Sequence, residues 1–231
     1  MALLDPSFSD PLSLPDIGRK LLPHNPFEAL ATTRTVRRRL DPERPVDMES
    51  ILRALGYAGQ APTGGASIRA HFVVVTDPGT RAELGEHYRR VWNARYGEFL
   101  EAARSEAARR GEKAPSDLES AAHLAANMGR MPVHVVACVD TAGRSMDGNQ
   151  ASLWGSVLPA AWSYMLAVRS LGLASAWTTV LLDAEQEVAE LLELPESVRI
   201  GAVLPTAYPL GEGFRPARRD NWAAHIHDER W

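Results

Sequence analysis

The sequence predicts one α+β domain. Three observations predict it. Segments with helical apolar spacing interleave with short β-branched runs. Only three or four such runs occur, joined by long connections. No fixed-period repeat and no second block of composition divides the chain.

Residues 1–26 hold five prolines, Pro6, Pro11, Pro15, Pro23 and Pro26. Proline has no amide donor, so this stretch is expected to be an extended arm preceding a single domain over 27–231. A short helix is expected over 27–33, followed by the dense basic turn Arg34-Thr35-Val36-Arg37-Arg38-Arg39. Asp47 suits the N-cap of a helix over 48–59, where Met48, Ile51, Leu52 and Leu55 fall at i, i+3, i+4 and i+7. The small-residue loop Ala61-Pro62-Thr63-Gly64-Gly65 ends that helix, and residues 72–75 read as a buried strand. Residues 80–110 are helical in pattern and highly charged, 111–116 break them, and 117–130 suit a second helix, so 80–130 reads as a polar excursion from the core. Residues 133–139 form the next apolar run. The strongest helix covers 156–171, with Leu158, Ala161, Trp162, Met165 and Leu166 on one wide face and Gly172 beyond its end. A β-run over 174–180, a helix over 184–194 and a strand over 200–207 complete the core, and a polar, basic and finally aromatic tail follows from 212.

Composition narrows the function. Of 231 residues, 45% are hydrophobic and 23% charged, and the formal net charge is −4, which excludes general disorder and gives no global attraction to nucleic acid or anionic membrane. The single cysteine, Cys138, excludes a disulfide framework and sits in an apolar run where a buried thiol is expected. The first residues lack a basic segment and a long apolar core, so neither a secretory leader nor a membrane span is expected and a cytoplasmic placement is the default.

Three constellations are candidates for chemistry. Guanidinium forks interleaved with Thr33 and Thr35 match phosphate oxygens, although a solvated basic face explains the same spacing. The loop Pro62-Thr63-Gly64-Gly65-Ala66-Ser67 allows close approach of backbone to a flat or anionic ligand, although it precedes a strand and is not a dinucleotide fingerprint. Ala176-Trp177-Thr178-Thr179 places two hydroxyls beside a large aromatic, although an ordinary β-run with a core tryptophan does the same. The zinc-protease, P-loop and nucleophile-elbow motifs are missing, and His225 and His227 lack a convincing set of co-ligands, so no metal site is expected. No acid–base pair is evident, which favours chemistry carried by a cofactor.

In this order the segments resemble the FMN-dependent nitroreductase family, from about residue 28 to the end. Thr33-Arg34-Thr35-Val36-Arg37-Arg38-Arg39-Leu40-Asp41 looks like its phosphate motif in a threonine-first, actinobacterial-type form. Pro45-Val46 with the helix to Ala61-Pro62-Thr63-Gly64, the helix through Ala161-Trp162-Ser163-Tyr164-Met165-Leu166-Ala167, the run from Gly172 to Thr179, and Pro205-Thr206-Ala207-Tyr208 supply further landmarks. Arg219 and the closing Asp228-Glu229-Arg230-Trp231 complete the set. The resemblance implies a central mixed or antiparallel sheet flanked by helices, and an intimate homodimer with two FMN sites at its interface. It implies that Arg34, Thr35, Arg37 and Arg219 hold the phosphate and ribityl region. Pro62, Thr63 and Gly64 would reach the flavin from the partner, and Trp177, Thr178 and Thr179 would lie near its N5 edge. The implied activity is ping-pong hydride transfer from NAD(P)H through FMN to a small organic electron acceptor.

Two positions depart from the family pattern. Where an asparagine and, two residues on, a glutamine usually stand, this sequence has Ala66 and Ile68, and Arg69 adds a charge nearby. Two missing hydrogen bonds to dry flavin atoms would cost on the order of 1–3 kcal/mol each. The rival readings are a specialised member of the same fold and a non-catalytic dimer that binds another ligand or has lost FMN. A nucleic-acid binder using the arginine turn is a weaker third, since the net charge opposes it.

Overall fold

The computed structural model describes residues 26–64, 67–211 and 213–231. The departure at Ala66 and all of the expected arm over 1–26 except Pro26 lie outside them, and Pro26 opens a helix. Strand β2 (Val133–Asp140) is buried along almost its whole length, as is β4 (Val198–Ala207) beside it. Neither can face water, so both are central. Strands β1 (Ala70–Val75) and β3 (Ala174–Ser175) flank them in the order β1-β2-β4-β3, with every pairing antiparallel. Of the mixed or antiparallel alternatives, the sheet is thus antiparallel. The run expected over 174–180 is a strand only at its first two residues and touches β4 again at Thr178 through an isolated bridge to Val203.

Alternation along β2 feeds two cores. Val136 and Cys138 pack on one face with helix α3 (Pro78–Arg110) and helix α4 (Ser116–Asn127). Val133, Val135, Ala137 and Val139 pack on the other with α2 (Met48–Ala58) and α5 (Ala151–Ser170). The excursion over 80–130 is therefore half of the sandwich. Its 33-residue helix α3, about 50 Å long, buries Leu84, Tyr88, Trp92 and Leu100 along one side. Cys138 sits wholly inside, and burial pushes its thiol up to about 12, which keeps it protonated and inert.

Local signals place the other elements. Helix α1 (Pro26–Thr32) is short and ends at the arginine turn. Asp47 caps α2, accepting from the Ser50 amide at 2.8 Å. Helix α5 begins five residues earlier than its apolar face suggests. Gly155 and Pro159 read locally as breakers, yet Gln150 accepts from the amides of Leu153 and Trp154 and burial of Leu153 secures the extra turn. Helix α5 closes as expected at Gly172, which has φ of 81° while Leu173 donates back to the Val168 carbonyl at 2.8 Å. Helix α6 (Glu185–Leu191) closes in the same way, with Leu194 donating to Ala189 at 2.8 Å, but Glu193 takes the left-handed position with φ of 52°.

The two closures respond oppositely to substitution. Gly172→Ala is expected to lower the unfolding free energy by about 1 kcal/mol and Glu193→Gly to raise it by about 0.5 kcal/mol, measured by urea denaturation. A second expectation concerns His134, which is fully buried in β2 between Val75 and Pro205 in register. Burial, with the Arg81 charge nearby, holds its pKa down to about 4. The Met128 backbone opposes this weakly, yet neither ring nitrogen has a hydrogen-bond partner of normal geometry. The unfolded chain binds the extra proton first, so this contribution to stability is complete above pH 6.5 and is lost as the pH falls towards 4. Its slope approaches about 1.4 kcal/mol per pH unit. His134→Leu should flatten the stability profile across that window in denaturation series at several pH values.

Candidate functional site

The arginine turn leaves α1 and is fastened on both sides. On one, Val36 donates to the Ser175 carbonyl at 2.9 Å, and Thr35 Oγ1 accepts from the Trp177 amide at 3.2 Å. On the other, Leu210 donates to the Arg39 carbonyl at 2.7 Å and Asp41 to the Tyr208 carbonyl at 2.8 Å. Held at four points, the backbone fixes where each guanidinium starts.

The arginines then divide by partner. Arg38 reaches Glu119 at 3.9 Å, and Arg104 grips the same carboxylate through two nitrogens at 2.7 and 3.0 Å, which holds Glu119 below its ordinary pKa. Arg130 pairs with Glu43, a second clip between the excursion and the turn. Arg39 donates to the carbonyls of Leu210 and Gly213 and stacks over Phe214 at 4.5 Å. No carboxylate pairs with Arg34 or Arg37 among the described residues. Both line an open cleft of about 450 Å³ together with Thr35, Gly213, Phe214 and Arg215.

Beside this cleft, Thr178 is 7% exposed and fully engaged. Its amide donates to Val203, and its Oγ1 meets the Tyr88 hydroxyl at 3.1 Å and accepts from the Val180 amide at 3.3 Å. Burial raises the Tyr88 phenol, against the opposing influence of the Thr178 bond and the Arg37 charge. Trp177 is half-buried and Thr179 exposed.

The structure therefore brings Arg34, Thr35, Arg37, Trp177 and Thr178 together. It holds the 62–64 loop elsewhere: Gly64 donates to Ser156 Oγ at 3.0 Å near the start of α5. Met165 and Arg169, near the end of α5, are the residues beside the turn. Nine to thirteen residues of helix separate these points, roughly 14–20 Å. Arg219 lies on the exposed tail, and Arg215 is the tail residue that lines the cleft. Sequence reasoning missed Arg215, Tyr88, Arg169 and Ser175. Arg215 had a signal in the basic tail, whereas the others are joined to the turn only by folding.

Comparison with known proteins follows the same outline. The Nitroreductase family model matches residues 30–208. No curated protein matches the sequence. A candidate NADH dehydrogenase/NAD(P)H nitroreductase from Parabacteroides distasonis superposes with a TM-score of 0.62 at 21% identity, covering 89% of this chain and 98% of its own. Iodotyrosine deiodinase bound to FMN and 3-iodo-L-tyrosine gives 0.61 at 18% identity, covering 86% and 95%. The NADPH:FMN oxidoreductase of Vibrio harveyi in complex with NAD+ gives 0.60 at 16% identity, covering 89% and 77%.

Proposed function

The chain belongs to the nitroreductase family, and from that premise we propose that it is a flavin-dependent oxidoreductase using FMN and NAD(P)H. The observation that carries this reading is the pair Arg34 and Arg37, both facing an open cleft without a carboxylate partner. Two guanidinium groups left together repel, and a phosphate dianion offsets that repulsion while using their forked donors. The cleft fits the phosphate end of FMN, with Arg215 beside it and Arg219 four residues further along the same exposed segment. Thr35 and Trp177 would continue the wall towards a bound flavin ring, with Thr178 and the exposed Thr179 near its N5 edge.

Bound FMN supplies hydride-transfer chemistry at N5, ping-pong between a reduced nicotinamide and a small organic acceptor. The chain binds and orients, and the reaction asks for no protein nucleophile. Relatives of the same fold carry FMN or NAD+, which supports the assignment. The same reading includes a homodimer. With roughly 14–20 Å between the 62–64 loop and the arginine turn along α5, one chain would enclose only part of a bound flavin ring. A partner's Pro62, Thr63 and Gly64 complete it. Trp162 on α5 and Phe27 and Leu30 on α1 offer exposed apolar surface for that association. No described helix is long and apolar enough to cross a membrane, and we place the enzyme in the cytoplasm.

Protein purified without added cofactor should be yellow and release one FMN per subunit. Arg34→Ala and Arg37→Ala should each weaken FMN about tenfold to a hundredfold in fluorescence titration, as expected for a charge-assisted hydrogen bond. A colourless protein that takes up no added FMN would overturn the assignment. Sedimentation should show a dimer, and a folded, flavin-loaded monomer would exclude the shared site.

A further inference from the structure

Nine buried side-chain nitrogen or oxygen atoms among the described residues lack a hydrogen-bond partner, and four of them, Thr33 Oγ1, Arg34 Nε, Arg169 Nε and Ser175 Oγ, belong to residues that line one small cavity. The cavity lies behind the arginine cleft, between the start of the turn, the last turn of α5 and β3, and its volume is about 10 Å³. Arg34 and Phe214 line both spaces. Phe214 also stacks on Arg169 at 4.7 Å. Ser175 is only 3% exposed and its carbonyl already serves Val36.

Four orphaned groups in one place are rare, because each unsatisfied buried group costs about 1–3 kcal/mol. The donor count is specific. The two Nε–H groups can only donate, whereas the two hydroxyls can accept. A single water accepts twice and donates twice, and a cavity of this size is at the lower limit for one water. A chloride ion could accept from all four groups but is larger than a water, and the space is already at the lower limit for a water.

We propose that this cavity is a built site for one ordered water molecule, which accepts from Arg34 and Arg169 and donates to Thr33 and Ser175. Through it, Arg34 is anchored at Nε with its terminal nitrogens turned to the cleft. The water site stands on the cavity alone. The positioning role rests on the FMN assignment above.

The test is a high-resolution crystal structure of the full chain grown in bromide, beside the variants Thr33→Val and Thr33→Ser. The expected result is one fully occupied water in the wild type and in Thr33→Ser, absent or displaced in Thr33→Val, with no anomalous bromide signal. An empty cavity, or a bromide peak within it, overturns the water site whether or not FMN binds. In solution, FMN affinity should fall about fivefold in Thr33→Val and recover in Thr33→Ser with unchanged melting temperature. Equal affinities across the three, with the water present, overturn the positioning role. Failure of every form to bind FMN is instead a failure of the cofactor assignment.

Discussion

The burial of β2 and β4 on both faces is the constraint on which the rest depends. A strand pair with no solvent side must be covered twice, and this chain supplies α2 and α5 for one face and α3 and α4 for the other. Register between them shifts at Ala137 and Cys138, where β4 carries an extra residue, Gly201. A side chain there would meet Leu158, Trp154 and Val157 of α5 within 3.4 Å. Glycine at the bulge therefore lets the central helix lie close on the sheet while the strand bends.

That close seating of α5 organises the site. Its first turns hold the 62–64 loop through Ser156, and its last turns support the arginine turn through Met165 and Arg169. One helix thus sets the spacing between the 62–64 loop and the arginine turn. Thr35 and Val36 lock the turn to the segment after β3, and Tyr88 reaches across from α3 to Thr178. The turn is thus joined to both helical layers, to α5 through Met165 and Arg169 and to α3 by way of the 177–178 segment and Tyr88.

Charge at the cleft is sorted by neighbours. Arg38 and Glu119 form an exposed network with Arg104, worth little in stability but sufficient to draw one guanidinium away. Arg39 is spent on two carbonyls and an aromatic face. Arg34 and Arg37 remain without a carboxylate partner and line the cleft with Arg215 from the far end of the chain. Glu119, the Leu210 and Gly213 carbonyls and the Phe214 ring thereby engage two arginines of the basic run and set the other two apart.

The helices with clear caps and faces, the apolar strands and the position of the arginine turn were legible in the sequence, because those signals are local. Asp47 before α2, Gly172 after α5 and the β-branched run of β2 each act within a few residues. The early start of α5 was hidden, since Gly155 and Pro159 oppose it locally and only burial outweighs them. Tertiary structure alone decided which arginines stay unpaired, that Tyr88 supports Thr178, and that Arg34 and Arg169 share a cavity with Thr33 and Ser175. Those relations depend on pairing and packing between residues as far as 174 positions apart, where spacing along the chain carries no information about distance in space.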